Sequence, residues 1–145
     1  MVCTFFGHSE CYDLDEIILE RAIEKQIIKG VDTFYVGHQG DFDRRVFACL
    51  TRLKAIHPHI SFAVVLAYPP TQSLACTRYR SDSIYPEGLE VGPPRFAVER
   101  RNQWMIGQSD CCLCYINHPW GRAHKFAKRA KIKGLTVINI GDMEL

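Results

Sequence analysis

The sequence predicts an α/β protein: one domain with a mainly parallel sheet of five or more strands and helices packed on both of its faces. Three observations predict it. β-rich apolar runs alternate with amphipathic helical stretches along most of the chain, and glycines stand where runs hand over to helices. One run, Ile60 to Ala67, is apolar almost without a break, as befits a strand buried on both faces.

Val2 to Phe6 is a short apolar strand ending at Gly7, and Leu14 to Ile28 then carries Leu14, Ile17, Ile18, Ala22 and Ile27 at helical spacing. Gly30 closes that helix as a left-handed cap, and Val31 to Val36 is a second strand that stops at Gly37. Asp43 to Ile56 is helical through Val46, Phe47, Leu50, Leu53 and Ile56, and the apolar run from Ile60 completes a β-α-β-α-β unit. From Tyr68 to Pro94 the periodicity disappears among prolines and glycines. A segment of that length inside a compact domain is functional or hides a short element. Arg95 to Ile106 is a helix, Cys111 to Ile116 a strand, Gly121 to Lys131 a helix and Leu135 to Ile140 a last strand. The pattern gives five strands in a Rossmann-like, three-layer α/β/α arrangement, with residues 1–145 as a single domain.

Composition narrows the function classes. A formal charge of +2 with mixed signs along the chain gives no basic surface, so a nucleic-acid partner is not expected. Arg78, Arg80, Arg95, Arg100, Arg101 and Arg122 nevertheless gather in the second half, and arginine suits bidentate pairing with phosphate or carboxylate. A small anionic ligand fits better than a polymer. No apolar run is long enough to span a membrane and no signal peptide is evident, so the expected location is the cytoplasm, without a membrane partner. Cys3, Cys11, Cys49, Cys76, Cys111, Cys112 and Cys114 lack the C-x2-C pairs of a zinc module and read as reduced, mostly buried thiols. No motif calls for a metal or a cofactor, and a homo-oligomer is left open.

Four constellations fall at strand C-termini or helix starts, on what should be one edge of the sheet. Gly37 to Asp43, with Gly37 and Gly40 three apart, lies between a strand and a helix and suits a phosphate or ribose cradle. Asp43 there would cap the helix or meet a ligand hydroxyl. Gly7, His8, Ser9 and Glu10 follow the first strand, where open parallel sheets bind ligands; His8 is either structural or in contact with ligand. In the helix at Arg100 to Met105, spacing can turn Arg101 and Asn102 to the sheet edge while Met105 packs inward, against the alternative of a solvated basic face. His118 to Ala123 joins a strand to its helix and could bring the Gly121 backbone to a second ligand group.

These segments resemble the SLOG superfamily, most of all its small YpsA-type members. The resemblance runs through C-T-F-F-G-H at Cys3 to His8, F-Y-V-G-H-Q-G-D-F-D at Phe34 to Asp43 and A-Y-P-P at Ala67 to Pro70. It continues through R-Y at Arg78 and Tyr79, E-R-R-N-Q-W-M-I-G-Q-S-D at Glu99 to Asp110 and G-R-A-H-K-F-A-K-R-A at Gly121 to Ala130. It implies a Rossmann-like sheet that binds nucleotides or nucleotide-derived molecules. Carried over residue by residue, the ligand-binding positions are Gly7, His8, Gly37, Gly40, Asp43, Arg101, Asn102 and Gly121.

Some relatives in that superfamily are phosphoribohydrolases with a P-G-G-x-G-T-x-x-E segment near the fourth strand. Here the corresponding stretch is N-H-P-W-G-R-A-H-K, without the glycine pair, the threonine or the glutamate. Binding of a nucleotide-type ligand, in the manner of a sensor module, therefore leads over hydrolysis of a nucleoside monophosphate. Hydrolysis would draw its carboxylate from Glu10, Asp43, Glu87 or Glu99. Distant relatives that handle DNA supply a third reading, which the charge balance opposes.

Overall fold

The computed structural model describes residues 1–69 and 83–145. Cys76, Arg78, Tyr79, Arg80 and Pro70, singled out by the sequence, lie outside the described residues.

Strand β1 (Val2–Gly7) leads to helix α1 (Glu16–Ile28), β2 (Thr33–Val36) to α2 (Asp41–Ile56), and β3 (Ser61–Val65) follows. Then come β4 (Ser83–Ile84), inside the Pro/Gly-rich segment, a 3-10 turn at Pro94–Phe96, α3 (Ala97–Gln108), β5 (Cys111–Tyr115), α4 (Arg122–Ile132) and β6 (Thr136–Asn139). All strand pairs are parallel, in the order β4-β3-β2-β1-β5-β6. The pairing strands are five in the periodicity plus β4, the short element inside the long segment.

Boundaries moved where capping chemistry overrode apolar pattern. Asp15 accepts the Ile17 amide at 2.9 Å, so α1 begins one residue after it rather than at Leu14. The Val31 amide is bonded to the Gln26 carbonyl, which closes α1 and delays β2 to Thr33. Gly30 takes φ +110, the left-handed conformation expected of it. Helix α2 begins at Asp41, two residues earlier than the periodicity suggests, so Asp43 is inside the first turn.

Alternation along the strands sorts side chains into two cores. Cys3 and Phe5 of β1, Phe34 and Val36 of β2, and Leu113 of β5 pack with Leu19, Ile23, Val46 and Leu50 of α1 and α2. On the opposite face Phe6, Cys112 and Cys114 pack with Met105, Phe126 and Ala130 of α3 and α4. The result is three layers, α/β/α. Burying a side chain such as Phe5, Phe34 or Leu50 contributes about 1.5–3 kcal/mol, so helices and sheet hold one another. Among the described residues no helix is long and apolar enough to cross a membrane.

The chain steps outward from β1 through β2, β3 and β4, then returns to the other side of β1 for β5 and β6. Loops leaving β1 and β5 therefore diverge to opposite faces of the sheet. The gap they leave at the C-terminal edge is where parallel sheets offer a ready-made binding crevice.

Candidate functional site at the strand switch point

A cleft of about 460 Å³ occupies that gap. Seven of the eight residues expected from sequence line it: Gly7, His8, Gly37, Asp43, Arg101, Asn102 and Gly121. Gly40 does not. It stands one step back with φ +114, and a Cβ there would lie 2.7 Å from Ser9 Cα. Only glycine reconciles that backbone with the close pass of the β1–α1 loop, which the Asp41 amide fastens to the Ser9 carbonyl at 2.9 Å. Gly40 shapes the cleft from behind.

Two of the glycines are required by their neighbours. A side chain on Gly7 would fall inside the Phe42 ring, and the first turn of α2 could not close over β1. At Gly37 a Cβ would come within 2.8 Å of an Arg101 terminal nitrogen and 2.9 Å of Asp43 Oδ2, so the bare backbone lets those two side chains converge.

Arg101 is 2% exposed although it carries a full charge. Its Nε donates to Asn102 Oδ1 at 2.7 Å and a terminal nitrogen donates to the Val65 carbonyl at 3.0 Å, which reaches from α3 to the end of β3. Burial pushes its pKa down, and the Asp43 charge pulls it back up. Asp43 accepts the Gln39 amide at 2.9 Å, a carboxylate of the first turn satisfying the helix entry. Its carboxyl is pushed up to about 6 because desolvation outweighs the field of Arg101 and the Gln39 hydrogen bond. The alternatives open for Asp43 are thus joined in one place: it serves the start of α2 and lines the cleft.

His8 bridges the two strands that part at the switch point. Its Nε2 accepts the Asn117 amide at 3.0 Å, which places the ring proton on Nδ1, and its own amide donates to the Tyr115 carbonyl at 3.3 Å. Burial, then the neighbouring His118 and His124, lower its pKa, so the ring is neutral at pH 7. His118 stacks on it with centroids 3.6 Å apart and planes 11° apart, and Trp120 stacks on His118 at 4.0 Å and 21°. The three rings form one stack: His8 and His118 line the cleft, and Trp120, 65% exposed, ends the stack in solvent. Sequence reasoning placed His8 and His118 in separate motifs. Nothing local announces that residues 110 positions apart will stack; only the pairing of β1 with β5 brings them together.

The arginines divide by role. Arg100 donates to the Leu89 and Pro93 carbonyls at 2.9 and 2.8 Å and staples the Pro/Gly-rich segment to α3. Arg122 stands exposed at the mouth of the cleft, at the start of α4. Val98, Met105, Phe5 and Phe6 supply apolar lining that pattern had assigned to core alone. The cleft is consequently a mixed one: apolar sides, two carboxylates (Glu10, Asp43), two guanidinium groups and a ring wall. That is a lining suited to a polar organic molecule with a flat part. Among the described residues no group of three or more His, Cys, Asp or Glu side chains is arranged to hold a metal ion.

The described thiols Cys3, Cys11, Cys49, Cys111, Cys112 and Cys114 are free and buried, as their apolar settings imply. They lie in the cores and not in the cleft.

No family model matches the chain, and no curated protein matches it in sequence. Among solved structures it is similar to DNA processing protein A (DprA) from Streptococcus pneumoniae, with a TM-score of 0.68 and 17% identity. The superposition covers 99% of this chain and 51% of that one, so the chain spans about half the length of its structural neighbour. At this identity the likeness concerns the fold, and the chain is a Rossmann-like α/β protein.

Proposed function

We propose that the chain is a single SLOG-type module of the YpsA-like kind, cytoplasmic, that binds a nucleotide or nucleotide-derived ligand in the cleft between β1 and β5, through the seven carried-over residues that line it. The observation that carries this reading is convergence. Seven positions picked from four separate segments meet in one cleft at the switch point, and its volume is within the range of small-molecule sites. In this reading a flat base or sugar packs against the ring wall and the apolar lining. Asp43 and Asn102 accept and donate hydrogen bonds to its edge or hydroxyls.

Thermal-shift measurements with AMP, ADP-ribose, NAD and cyclic nucleotides test it. A ligand at a hundred times its dissociation constant should stabilise the protein by about 2.7 kcal/mol, a rise of several degrees. No shift with any nucleotide-type ligand would remove the reading.

Hydrolysis of a nucleoside monophosphate is the second reading, and the exposed Glu10 carboxylate in the cleft, without an ion pair among the described residues, is what favours it. Release of free base, followed by chromatography, separates it from binding. The structural neighbour is a DNA processing protein, yet the mixed charge and net +2 of this chain favour a small ligand over a phosphate backbone.

A further inference from the structure

We propose that a second cleft beside the first is an anion subsite, and that it takes the phosphate chain of a pyrophosphate-bearing nucleotide whose nucleoside part occupies the first. The proposal rests on the nucleotide reading above for the second half of that sentence, and on the geometry that follows for the first half.

The second cleft, of about 360 Å³, shares Val98, Gly121 and Arg122 with the first, so one ligand can reach into both. Its charged lining is Arg95, Arg122, Lys125 and Glu99. Glu99 is already engaged: it pairs with Lys125 and lies 3.9 Å from Arg129. No carboxylate among the described residues comes within ion-pair distance of Arg95 or Arg122. Among the described residues neither guanidinium group has an ion-pair partner, although Arg122 lies in the field of Glu99, and the Arg95 guanidinium lies 4.9 Å above the Phe96 ring.

The first cleft offers an anion much less. Arg101 is bonded to Asn102 and to the Val65 carbonyl, and its field is opposed by Asp43. A phosphate placed there would also meet Asp43 itself. The sequence makes Arg101 a ligand contact; the arginines that have no ion-pair partner among the described residues, Arg95 and Arg122, line the second cleft. The start of α4 adds to them. Gly121 caps it with φ +94 and no side-chain hydrogen bond, and its first turn holds no acidic residue. Its free amides and partial positive charge therefore face the shared boundary of the two clefts. Glu99, although acidic, has its carboxyl held below the ordinary range, first by its hydrogen bond with Lys125 and then by the charges of Lys125, Arg129 and Arg122, which marks the field there as positive. Two guanidinium groups, each able to grip one phosphate through two parallel hydrogen bonds, match two linked phosphates.

Titration calorimetry on the full chain with inorganic pyrophosphate, adenosine and ADP tests the subsite, using Arg95→Gln and Arg122→Gln as variants and Lys128→Gln as an exposed control. Pyrophosphate should bind the wild type, weaken about tenfold or more in each arginine variant and stay within twofold in the control. ADP should bind more tightly than adenosine, and Arg95→Gln should erase most of that advantage while leaving adenosine within twofold, because Arg95 does not line the first cleft. Absence of pyrophosphate binding, or equal binding in all four proteins, would overturn the subsite. Binding of pyrophosphate that is lost in the arginine variants, with neither adenosine nor ADP gaining from the first cleft, would uphold the subsite and overturn the nucleotide reading.

Discussion

Replacing Arg101 by alanine should cost the protein several kcal/mol of stability before it costs any ligand. The side chain is 2% exposed and donates to the Val65 carbonyl and to Asn102, which are themselves 0% and 4% exposed. Truncation leaves a carbonyl and an amide oxygen without their donor and leaves Asp43 facing a hole instead of a cation. Breaking one member of such a buried charged set costs about 3–5 kcal/mol, and for a chain of this length that lowers Tm by roughly 10 °C. The loss should depend on pH. Asp43 has its carboxyl raised to about 6, above its ordinary 3.8, so the folded protein holds a proton that the unfolded chain releases. Its contribution is therefore lost as pH rises from about 4 through 6. Without Arg101 the Asp43 pKa climbs further, the window extends upward, and the variant should be penalised more at pH 8 than at pH 5. Urea unfolding of Arg101→Ala and wild type at both pH values provides the measurement. A difference below about 1 kcal/mol, equal at the two pH values, would mean that the guanidinium is solvated and does not share the cleft with Asp43.

Gly40→Val, which the bare G-x-x-G pattern marks as a binding lesion, should instead act mainly on stability, by about 2 kcal/mol or more, because φ +114 and the Ser9 backbone both reject a side chain; a variant as stable as wild type with weak binding would restore the sequence reading. Affinity for a nucleotide that donates to Asp43 should rise as pH passes upward through about 6, opposite in sign to the carboxyl's effect on stability, and Asp43→Asn should flatten that titration. Pulsed alkylation followed by mass spectrometry should leave Cys3, Cys49, Cys112 and Cys114, all 0% exposed, unmodified until the protein unfolds, and gently purified protein should carry no stoichiometric zinc. One zinc per chain, or rapid labelling of Cys112, would contradict the reading of these thiols as core residues.

What the sequence made legible was governed by local physics. Period-3.6 and period-2 patterns marked each helix and five of the strands, and glycines at strand ends marked the edge of the sheet where the cleft lies. β4 could not be read, since two residues carry no periodicity and Ser83 and Ile84 are strand only through pairing with Val64 and Val65. Gly40 was assigned to the ligand because a G-x-x-G pattern cannot tell a close ligand from a close loop. The spacing that brought Arg101 to the sheet edge was informative, but its bonding to Val65 across 36 positions was not encoded nearby. The same limit hid the column of His8, His118 and Trp120, and it left Arg95 undistinguished among the six arginines that the sequence singled out, since its lack of a carboxylate within ion-pair distance among the described residues shows only in space.

Charge placement also constrains what chemistry the first cleft could support. Cleaving an N-glycosidic bond develops positive charge on the sugar, which a carboxylate must face, and the departing base needs a proton. Asp43 is badly placed for the first task. Its field is opposed by Arg101, and its oxygen already accepts the Gln39 amide, so a sugar cation nearby would meet the guanidinium as well as the carboxylate. Those same partners suit Asp43 to a fixed acceptor role, in which a ligand hydroxyl or amino group supplies the donor that Gln39 and Arg101 leave room for. Glu10, the other carboxylate of the cleft, is exposed and makes no ion pair among the described residues, so its field is uncompensated. A hydrolase built on this site would accordingly have to act through Glu10. Base release, if present, should survive Asp43→Asn at saturating substrate with a raised KM and disappear in Glu10→Gln, whereas loss of both binding and release in Asp43→Asn alone would break the assignment of Asp43 as an acceptor and return it to the reaction itself.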